Sequence, residues 1–268
     1  MKKRSNSIFA IFSIAIFFFG GCKEKVVDVN NDSVELQVDR RYRPLLHHFG
    51  STGCGGCGRW GIPLVNRLGD QMGDSIIPLI THFKYNDPFI TASSQRLEET
   101  ILNARYSPQV WINNKDITLP MLYSGLEASI LTTQNMLRDS MKKEAKAFVG
   151  FQAIQLPSTR YDAEVMVENN TDDSATFFVE IYSMQDGLIA SQAGADPYVS
   201  THYRVNRGGH YGGMGKEIRL AAGETSSDQI EIIPCWVCDA NALYFYAIIW
   251  EEIGNDRFSY VNGKVIEL

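Results

Sequence analysis

The sequence lacks several patterns on which common enzyme classes depend. It contains no glycine-rich phosphate-binding loop, no H-E-x-x-H zinc pair and no serine nucleophile elbow. Histidine and cysteine are also scarce, with five of each in 268 residues. Nucleotide-dependent and hydrolytic functions therefore find no support in the sequence, and we predict no cofactor.

The sequence contains fewer basic residues than acidic ones. The chain carries 25 lysines and arginines against 31 acidic residues, which gives a net charge of −6. Removal of residues 1–21 would delete three basic residues and no acidic one, and would leave a net charge of −9. A surface of this sign disfavours nucleic acid, so we expect no nucleic-acid partner.

The N-terminus has the organisation of an export signal. Lys2, Lys3 and Arg4 precede an apolar run over residues 8–19, and small residues then lead to Cys22. The twelve apolar residues are too few to span a bilayer comfortably. We therefore predict a signal peptide over residues 1–21 and a tether over residues 22–39.

The cysteine at the predicted cleavage point resembles the lipobox of bacterial lipoproteins, although Phe19 stands where that pattern usually has leucine. The resemblance implies lipidation at Cys22 and a membrane partner through the lipid. The alternative is an ordinary secretory signal with an incidental cysteine.

Four cysteines remain, and they form two C-x-x-C pairs. Cys54 and Cys57 follow the apolar run at residues 45–49 and precede a predicted helix. The N-terminus of a helix stabilises a thiolate, which is the nucleophile of disulfide exchange. We therefore favour a redox pair, while half a zinc site or a static disulfide would have the same spacing.

Residues 40–146 alternate between strand-like and helical patterns. An apolar run at 76–83 predicts a strand, the stripe at 93–105 predicts a helix, and a short strand is expected at 109–113. A capping box at Ser124 and Glu127 introduces a last long helix. This alternation predicts a mixed sheet covered by helices, and hence an α/β domain.

From residue 147 the periodicity is that of strands. Seven short runs separated by turn residues, with no helical stretch over about 120 residues, predict an all-β immunoglobulin-like sandwich. The runs are 148–156, 161–167, 176–183, 201–205, 216–220, 229–233 and 243–250. We place the boundary between the two domains near residue 146, giving domains at 40–146 and 147–268.

The order of elements in the first domain resembles the thioredoxin superfamily. A strand, the Cys54–Cys57 pair and a helix are followed by Ser107 and Pro108, which match the cis-proline loop of that family. The resemblance implies that Cys54 attacks, that Cys57 resolves the mixed disulfide, and that the Pro108 loop shapes the groove for the substrate. Ser107, Pro108, Gly55 and Gly56 would then line that groove.

The sequence departs from the family pattern at several positions. Gly53 replaces the usual tryptophan, and Gly56 replaces the usual proline between the cysteines. His48 stands six residues before Cys54, where thioredoxins commonly bury an acid. We expect its imidazole to handle the proton of Cys57, because histidine titrates near neutral pH.

Cys235 and Cys238 lie between two predicted strands, where no helix N-terminus is expected. We predict a structural disulfide there, and a second redox centre is the minority interpretation. A zinc site built from both pairs would have to join cysteines 177 residues apart. His202 and His210 flank a glycine pair without a nearby carboxylate, so we predict no metal site.

The whole layout is also similar to a Bacteroidetes-type outer-membrane lipoprotein family with a thioredoxin-like domain and a C-terminal β-sandwich. The sequence thus predicts a membrane-anchored, extracytoplasmic thiol–disulfide oxidoreductase acting on protein thiols or disulfides. The alternative is a surface or adhesion lipoprotein that uses the thioredoxin shape as a binding scaffold. Either would occupy the outer membrane, with the periplasmic or surface face left open.

Overall fold

A computed structural model describes residues 35–84, 86–102, 106–122, 124–157, 160–235 and 238–267. The predicted signal peptide and Cys22 lie outside the described residues. Leu36–Leu268 forms one compact unit. Among the described residues, no helix is both long and apolar enough to cross a bilayer.

The first half of the chain contains short strands and the main helices. In chain order these are β1 (Leu45–Gly50), a π-helical turn (Cys57–Gly61), α1 (Ile62–Met72), a 3-10 turn (Gly73–Ser75), β2 (Ile77–His82), α2 (Ala92–Leu97), a second π-helical turn (Glu98–Leu102), β3 (Gln109–Ile112), β4 (Lys115–Asp116), α3 (Thr118–Leu122) and α4 (Leu126–Ser140).

The second half is almost entirely β. Its strands are β5 (Ala147–Gln155), β6 (Tyr161–Asn169), β7 (Ala175–Gln185), β8 (Leu188–Ser191), β9 (Val199–His202), β10 (Val205–Gly209), β11 (Lys216–Leu220), β12 (Thr225–Ile232), β13 (Leu243–Gly254) and β14 (Arg257–Glu267), with a 3-10 turn at Ala240–Ala242.

One mixed sheet connects the two halves. Its strand order is β14-β13-β7-β10-β2-β1-β3-β4, and β11 pairs with β7 beside this path. Strand β2 pairs in parallel with β1 and with β10, and the second pairing joins Val205 to Ile80. The N–H of Ile80 also donates to the carbonyl of Arg204 at 2.9 Å. The change in pattern near residue 146 is therefore a change in local structure within one continuous sheet.

Smaller sheets and helices cover the large sheet. The three-stranded sheet β12-β6-β5 packs its apolar face on β7 and β13, and the shared cluster includes Phe151, Val165, Phe177 and Phe245. The opposite face of β7 and β13 is also buried, because Trp250 packs there with residues of β1 and β2. A third cluster joins α1 and α4 to β1, β2 and β3.

The chain is thus mostly β, with a mixed sheet and few helices. The expected alternation of strands and helices before residue 146 is present, and the later residues form two packed layers. One of those layers is continuous with the first half through β10 and β2, because two parallel strands share hydrogen bonds there. The immunoglobulin topology and the domain ranges stay predictions.

Local differences from the expected elements have clear causes. The helix expected over 93–105 is α-helical only to Leu97, and a π-helical turn follows. The strand expected over 201–205 is divided between β9 and β10, because Arg204 adopts a positive φ of 56°. Asp39, assigned to the tether, already pairs with Val149 in the compact unit.

Candidate functional site

Cys54 lies in the loop after β1, and Cys57 is the first residue of the π-helical turn that follows. All six residues of β1 are buried, since the strand pairs with β2 on one side and β3 on the other. The two sulfur atoms are joined in a disulfide. The N–H of Cys57 points at the Sγ of Cys54 at 3.1 Å, and the N–H of Gly58 donates to the carbonyl of Cys54 at 3.3 Å. The backbone of the helical turn therefore presents one N–H group, that of Cys57, to the sulfur on which a thiolate would form.

The loop before β3 faces the disulfide. The hydroxyl of Ser107 lies 3.1 Å from the Sγ of Cys57, and it donates because a disulfide sulfur carries no proton. The Ser107–Pro108 peptide bond is cis, and the Pro108 ring is so close to Gly56 that an added Cβ there would lie 2.9 Å from its Cδ. The absence of a side chain at Gly56 thus permits this close approach. A Cβ added to Gly55 would meet no atom within 4 Å.

His48 and Cys57 both face Gly50. A Cβ placed on Gly50 would lie 2.7 Å from the His48 Nε2 and 2.9 Å from the Cys57 Sγ, so both atoms border the same small space above this glycine. His48 Nδ1 contacts the carbonyl of Gln109 at 3.0 Å and must donate its proton to that oxygen. The neutral ring therefore carries its lone pair on Nε2, for which the described residues provide no hydrogen-bond partner.

The environment of His48 favours the neutral imidazole. The ring is fully buried, and burial lowers its pKa to about 4, against a smaller opposite effect of the Gln109 carbonyl. At neutral pH Nε2 is therefore an unprotonated acceptor near the Cys57 sulfur.

The β8–β9 hairpin covers the Cys54–Cys57 pair. Only 6% of Cys54 and none of Cys57 is exposed. Gln192 donates its side-chain amide to the carbonyls of Ser51 at 3.2 Å and Cys54 at 3.0 Å. The N–H of Ala193 donates to Thr52 at 2.8 Å. We call residues 192–195 the cap, because this loop lies directly on the C-x-x-C segment.

The cap fits closely because glycines stand on both sides of the contact. A Cβ on Gly58 would lie 2.3 Å from the carbonyl oxygen of Ala193, and a Cβ on Gly194 would lie 2.1 Å from that of Gly55. Neither distance is compatible with a side chain, so the two backbones touch at these positions. The sequence analysis missed the cap, since its contacts join residues about 140 positions apart and no local pattern marks them.

A buried polar cluster supports the loop that precedes Cys54. His82 Nδ1 lies 2.7 Å from Asp87 Oδ2, and the same carboxylate accepts the N–H groups of Thr52 and Phe89. Burial raises the pKa of Asp87, but His82 and the two N–H groups outweigh it, and the net shift is downward. The ring of His202 packs edge-on against this cluster, with its centre 5.6 Å from that of His82. No local sequence pattern marks His82 as part of a cluster, because its partner Asp87 lies in a loop.

The other predicted site residues lie elsewhere. Cys235 and Cys238 form a second disulfide in the loop after β12, and both are partly exposed. His210 does not share a site with His202: its Nε2 lies 2.7 Å from the Ser183 hydroxyl. No group of three or more histidine, cysteine or carboxylate side chains among the described residues has the geometry of a metal site.

A cavity of about 500 Å³ lies at the edge of the large sheet, between α1 and β13. It is lined by residues such as Asp186, Tyr203, Arg204 and Tyr244, and by neither cysteine pair. The cavity is therefore separate from both cysteine pairs.

Comparisons with known proteins show a similar fold in a solved structure. No family model matches the chain, and no curated protein matches it either. Among solved structures, HBP35 of Porphyromonas gingivalis, a member of the Bacteroidetes, is similar with a TM-score of 0.65 and 16% identity. The match covers 87% of this chain and 77% of that one. At this identity the likeness is one of fold, extending over both halves of the chain.

Weaker likenesses concern only part of the chain. A β-glucosidase of Bifidobacterium adolescentis matches 46% of this chain and 17% of its own, with 13% identity and a TM-score of 0.27. A β-glucosidase of Listeria innocua in complex with isofagomine matches 46% of this chain and 16% of its own, with 14% identity and a TM-score of 0.24. Scores this low carry no argument about function.

Proposed function

We propose that this protein is a thiol–disulfide oxidoreductase of thioredoxin-like type, in which Cys54 and Cys57 form the redox pair and the cap controls access to it. The observation that carries the proposal is the position of His48: its free Nε2 lone pair and the sulfur of Cys57 border the same small space at Gly50. A disulfide with a purely structural role has no use for a buried base at its inner sulfur.

The thioredoxin-like assignment is supported by topology and by the loop that faces the pair. The strand order β2-β1-β3-β4, with β1 and β2 parallel and β3 antiparallel, places the C-x-x-C segment at the end of a central strand. Pro108 packs against Gly56 on the surface of that segment. These are the features that the resemblance to the thioredoxin superfamily implies.

The chemistry follows from the two sulfur atoms and their neighbours. A substrate thiolate attacks the Cys54 Sγ, the Cys54–Cys57 bond breaks, and Cys57 leaves as a thiolate that takes a proton from solvent. The second thiol of the substrate then attacks the substrate sulfur of the mixed disulfide. This step closes the disulfide of the substrate and releases Cys54 as a thiolate. Two electrons pass from the substrate dithiol to the pair, and the reverse sequence reduces a substrate disulfide, with His48 accepting the proton of Cys57.

We further propose that the protein acts outside the cytoplasm, anchored in the outer membrane by a lipid on Cys22, and that its partners are protein thiols or disulfides. This proposal rests on the signal-like N-terminus and on the resemblance to Bacteroidetes lipoproteins. Replacement of Cys22 by serine should abolish labelling with a radioactive fatty acid and release the protein from the membrane fraction. Retention of both label and membrane association would contradict it.

A second function, a non-catalytic binding scaffold, is favoured by one observation. Cys54 and Cys57 are almost completely buried under the cap, and a thiol cannot attack a sulfur that it cannot reach. In that case the Cys54–Cys57 bond would stay closed as long as the protein is folded.

Equilibrium redox titration separates the two functions. The protein with Cys235→Ser and Cys238→Ser would be equilibrated in dithiothreitol and glutathione buffers, and the thiols of Cys54 and Cys57 would be quantified by alkylation and mass spectrometry. An oxidoreductase shows a reversible midpoint while the near-ultraviolet circular dichroism remains native, and Cys54→Ser removes it. A bond that opens only when denaturant unfolds the chain would exclude the enzyme.

A further inference from the structure

The second disulfide has a neighbour that a structural bond does not require. The guanidinium Nη2 of Arg207 lies 4.0 Å from the Sγ of Cys235. Both cysteines of this pair are partly exposed, in contrast to Cys54 and Cys57. The more accessible disulfide of the protein is therefore the one that the sequence analysis assigned a structural role.

Arg207 is a cation without a compensating anion in direct contact. Among the described residues it forms no ion pair with a carboxylate, and its Nε is buried without a hydrogen-bond partner. Its guanidinium lies over the Phe89 ring, 5.7 Å from the ring centre. Burial lowers the pKa of Arg207, with only a partial opposite effect from Asp87, so its surroundings disfavour the charge that it carries.

The two sulfur atoms of the pair have different surroundings. Cys235 faces the Arg207 guanidinium, whereas Cys238 packs against the apolar cluster between the two β layers. A thiolate on Cys235 would be stabilised by the guanidinium, while a thiolate on Cys238 would be disfavoured by the apolar contacts. In disulfide exchange the sulfur with the more stable thiolate leaves faster, so the bond should break in one preferred direction.

We propose that Cys235 and Cys238 form a second thiol–disulfide exchange site, which reacts with solvent-exposed dithiols and releases Cys235 as a thiolate beside Arg207. A dithiol thiolate attacks the Cys238 Sγ, the Cys235–Cys238 bond breaks, and its electron pair remains on Cys235. The second thiol of the reductant then displaces Cys238 and becomes part of the reductant's own disulfide. Two electrons enter the pair, and the protons of the dithiol pass to Cys238 and to solvent.

In the reduced protein the same arrangement makes Cys235 the nucleophile. Arg207 contacts the Cys235 sulfur, and the charge of Asp87 raises the pKa of that arginine. Asp239 lies on the same loop as Cys235, and its carboxylate accepts the N–H of Asn241. Arg207 is the group in contact with the sulfur, so it acts as a positioning residue for the Cys235 thiolate.

The test uses the full chain carrying Cys54→Ser and Cys57→Ser, so that only the second pair can react and the result is independent of the function proposed for the first. The protein is reduced with dithiothreitol under native conditions and alkylated with iodoacetamide between pH 5 and 9, and each cysteine is quantified by mass spectrometry. We expect reduction without unfolding, and alkylation of Cys235 at pH 6.5 at least tenfold faster than that of Cys238.

Three variants assign the effect to the guanidinium. Arg207→Gln should slow alkylation of Cys235 at pH 6.5 about tenfold and shift its pH profile upward by about one unit, since one pKa unit is a tenfold change in thiolate. Arg207→Lys should restore most of the rate, and the matched control Arg219→Gln, at an exposed arginine, should change nothing.

Three outcomes would overturn the proposal: a pair that resists dithiothreitol until the protein unfolds, equal alkylation of the two cysteines, or an Arg207→Gln profile identical to that of the parent. If Arg207→Gln does not fold, two measurements on the parent decide whether the proposal holds. They are the ratio of the alkylation rates of Cys235 and Cys238 and the pH midpoint for alkylation of Cys235.

Discussion

The side-chain amide of Gln192 donates to the carbonyl oxygen of Cys54 at 3.0 Å, although the two residues are 138 positions apart. This contact ties the cap to the segment that holds the redox pair. A residue of the β-rich half therefore controls exposure of a cysteine in the first half.

Removal of this amide should loosen the cap. Gln192→Ala deletes the hydrogen bonds to Ser51 and Cys54 and leaves two buried carbonyls without that donor. A hydrogen bond contributes about 1 kcal/mol net, so we expect dithiothreitol to reduce the Cys54–Cys57 bond roughly fivefold to thirtyfold faster under native conditions. The exposed Gln229→Ala serves as the control, and equal rates in both variants would show that the cap does not limit access.

Glycine substitutions offer a second, steric way to open the cap. Gly58→Ala would place a Cβ 2.3 Å from the Ala193 carbonyl oxygen, so the loop must move away. Gly55→Ala, three residues earlier, meets no atom within 4 Å and is the matched control. We expect faster alkylation of reduced Cys54 in Gly58→Ala and an unchanged rate in Gly55→Ala. The reverse order would be incompatible with the cap as described.

His48 should act on the resolving step alone. His48→Gln removes the Nε2 acceptor near Cys57, and we expect release of a Cys54 mixed disulfide to slow by a factor of about 100, the low end for a positioned general base. The first attack on Cys54 should keep its rate. His47→Gln is the control, because His47 is the adjacent residue on β1 and contacts Thr81 instead of the cysteines. A loss that is equal in both variants would indicate a structural role.

Stability should fall on acidification because several histidines are buried in neutral form. Burial lowers the pKa of His48, His202 and His210 to about 4, and that of His47 shifts in the same direction. The unfolded chain binds their protons below about pH 6.5 and the native state does not, so protonation favours unfolding between pH 6.5 and 4.

Glu180 opposes this effect. Burial raises its pKa to about 7 despite four backbone N–H donors, so the native state takes up a proton between pH 7 and 4.5 that the unfolded chain lacks. With four histidines against one carboxyl, we expect the free energy of unfolding to decrease by about 3 kcal/mol from pH 6 to pH 5. Urea titrations at both values measure it. His210→Gln should weaken the dependence, and a stability that rises between pH 6 and 5 would contradict the assignment.

The sequence analysis was most successful where a local pattern determines local structure. The apolar run before Cys54 forms the buried strand β1, as predicted. Most of the β runs after residue 147 coincide with observed strands. The prediction of a capping box at Ser124 and Glu127 was wrong. Gly125 is the N-cap of α4 and makes no side-chain hydrogen bond, and the hydroxyl of Ser124 donates to the carbonyl of Pro120.

Features that depend on distant contacts were not predictable in this way. The strands β8 and β9 are four residues each, and their apolar side chains Ile189 and Val199 are exposed, so no alternation of buried and exposed residues in the sequence predicts the hairpin. The link between β10 and β2 consists of a single residue pair. The proximity of Arg207 to Cys235 likewise arises only when separate strands are brought together.

The most direct test of the redox account is covalent capture at Cys54. In a protein with Cys57→Ala, Cys235→Ser and Cys238→Ser, the remaining thiol of the pair would be incubated with oxidised glutathione under native conditions, and the adduct would be measured by mass spectrometry. We predict a mixed disulfide at Cys54 that forms faster when Gln192→Ala is added. Failure to form the adduct in either protein, with the reaction recovered only after unfolding, would show that Cys54 is a buried structural residue and not a nucleophile.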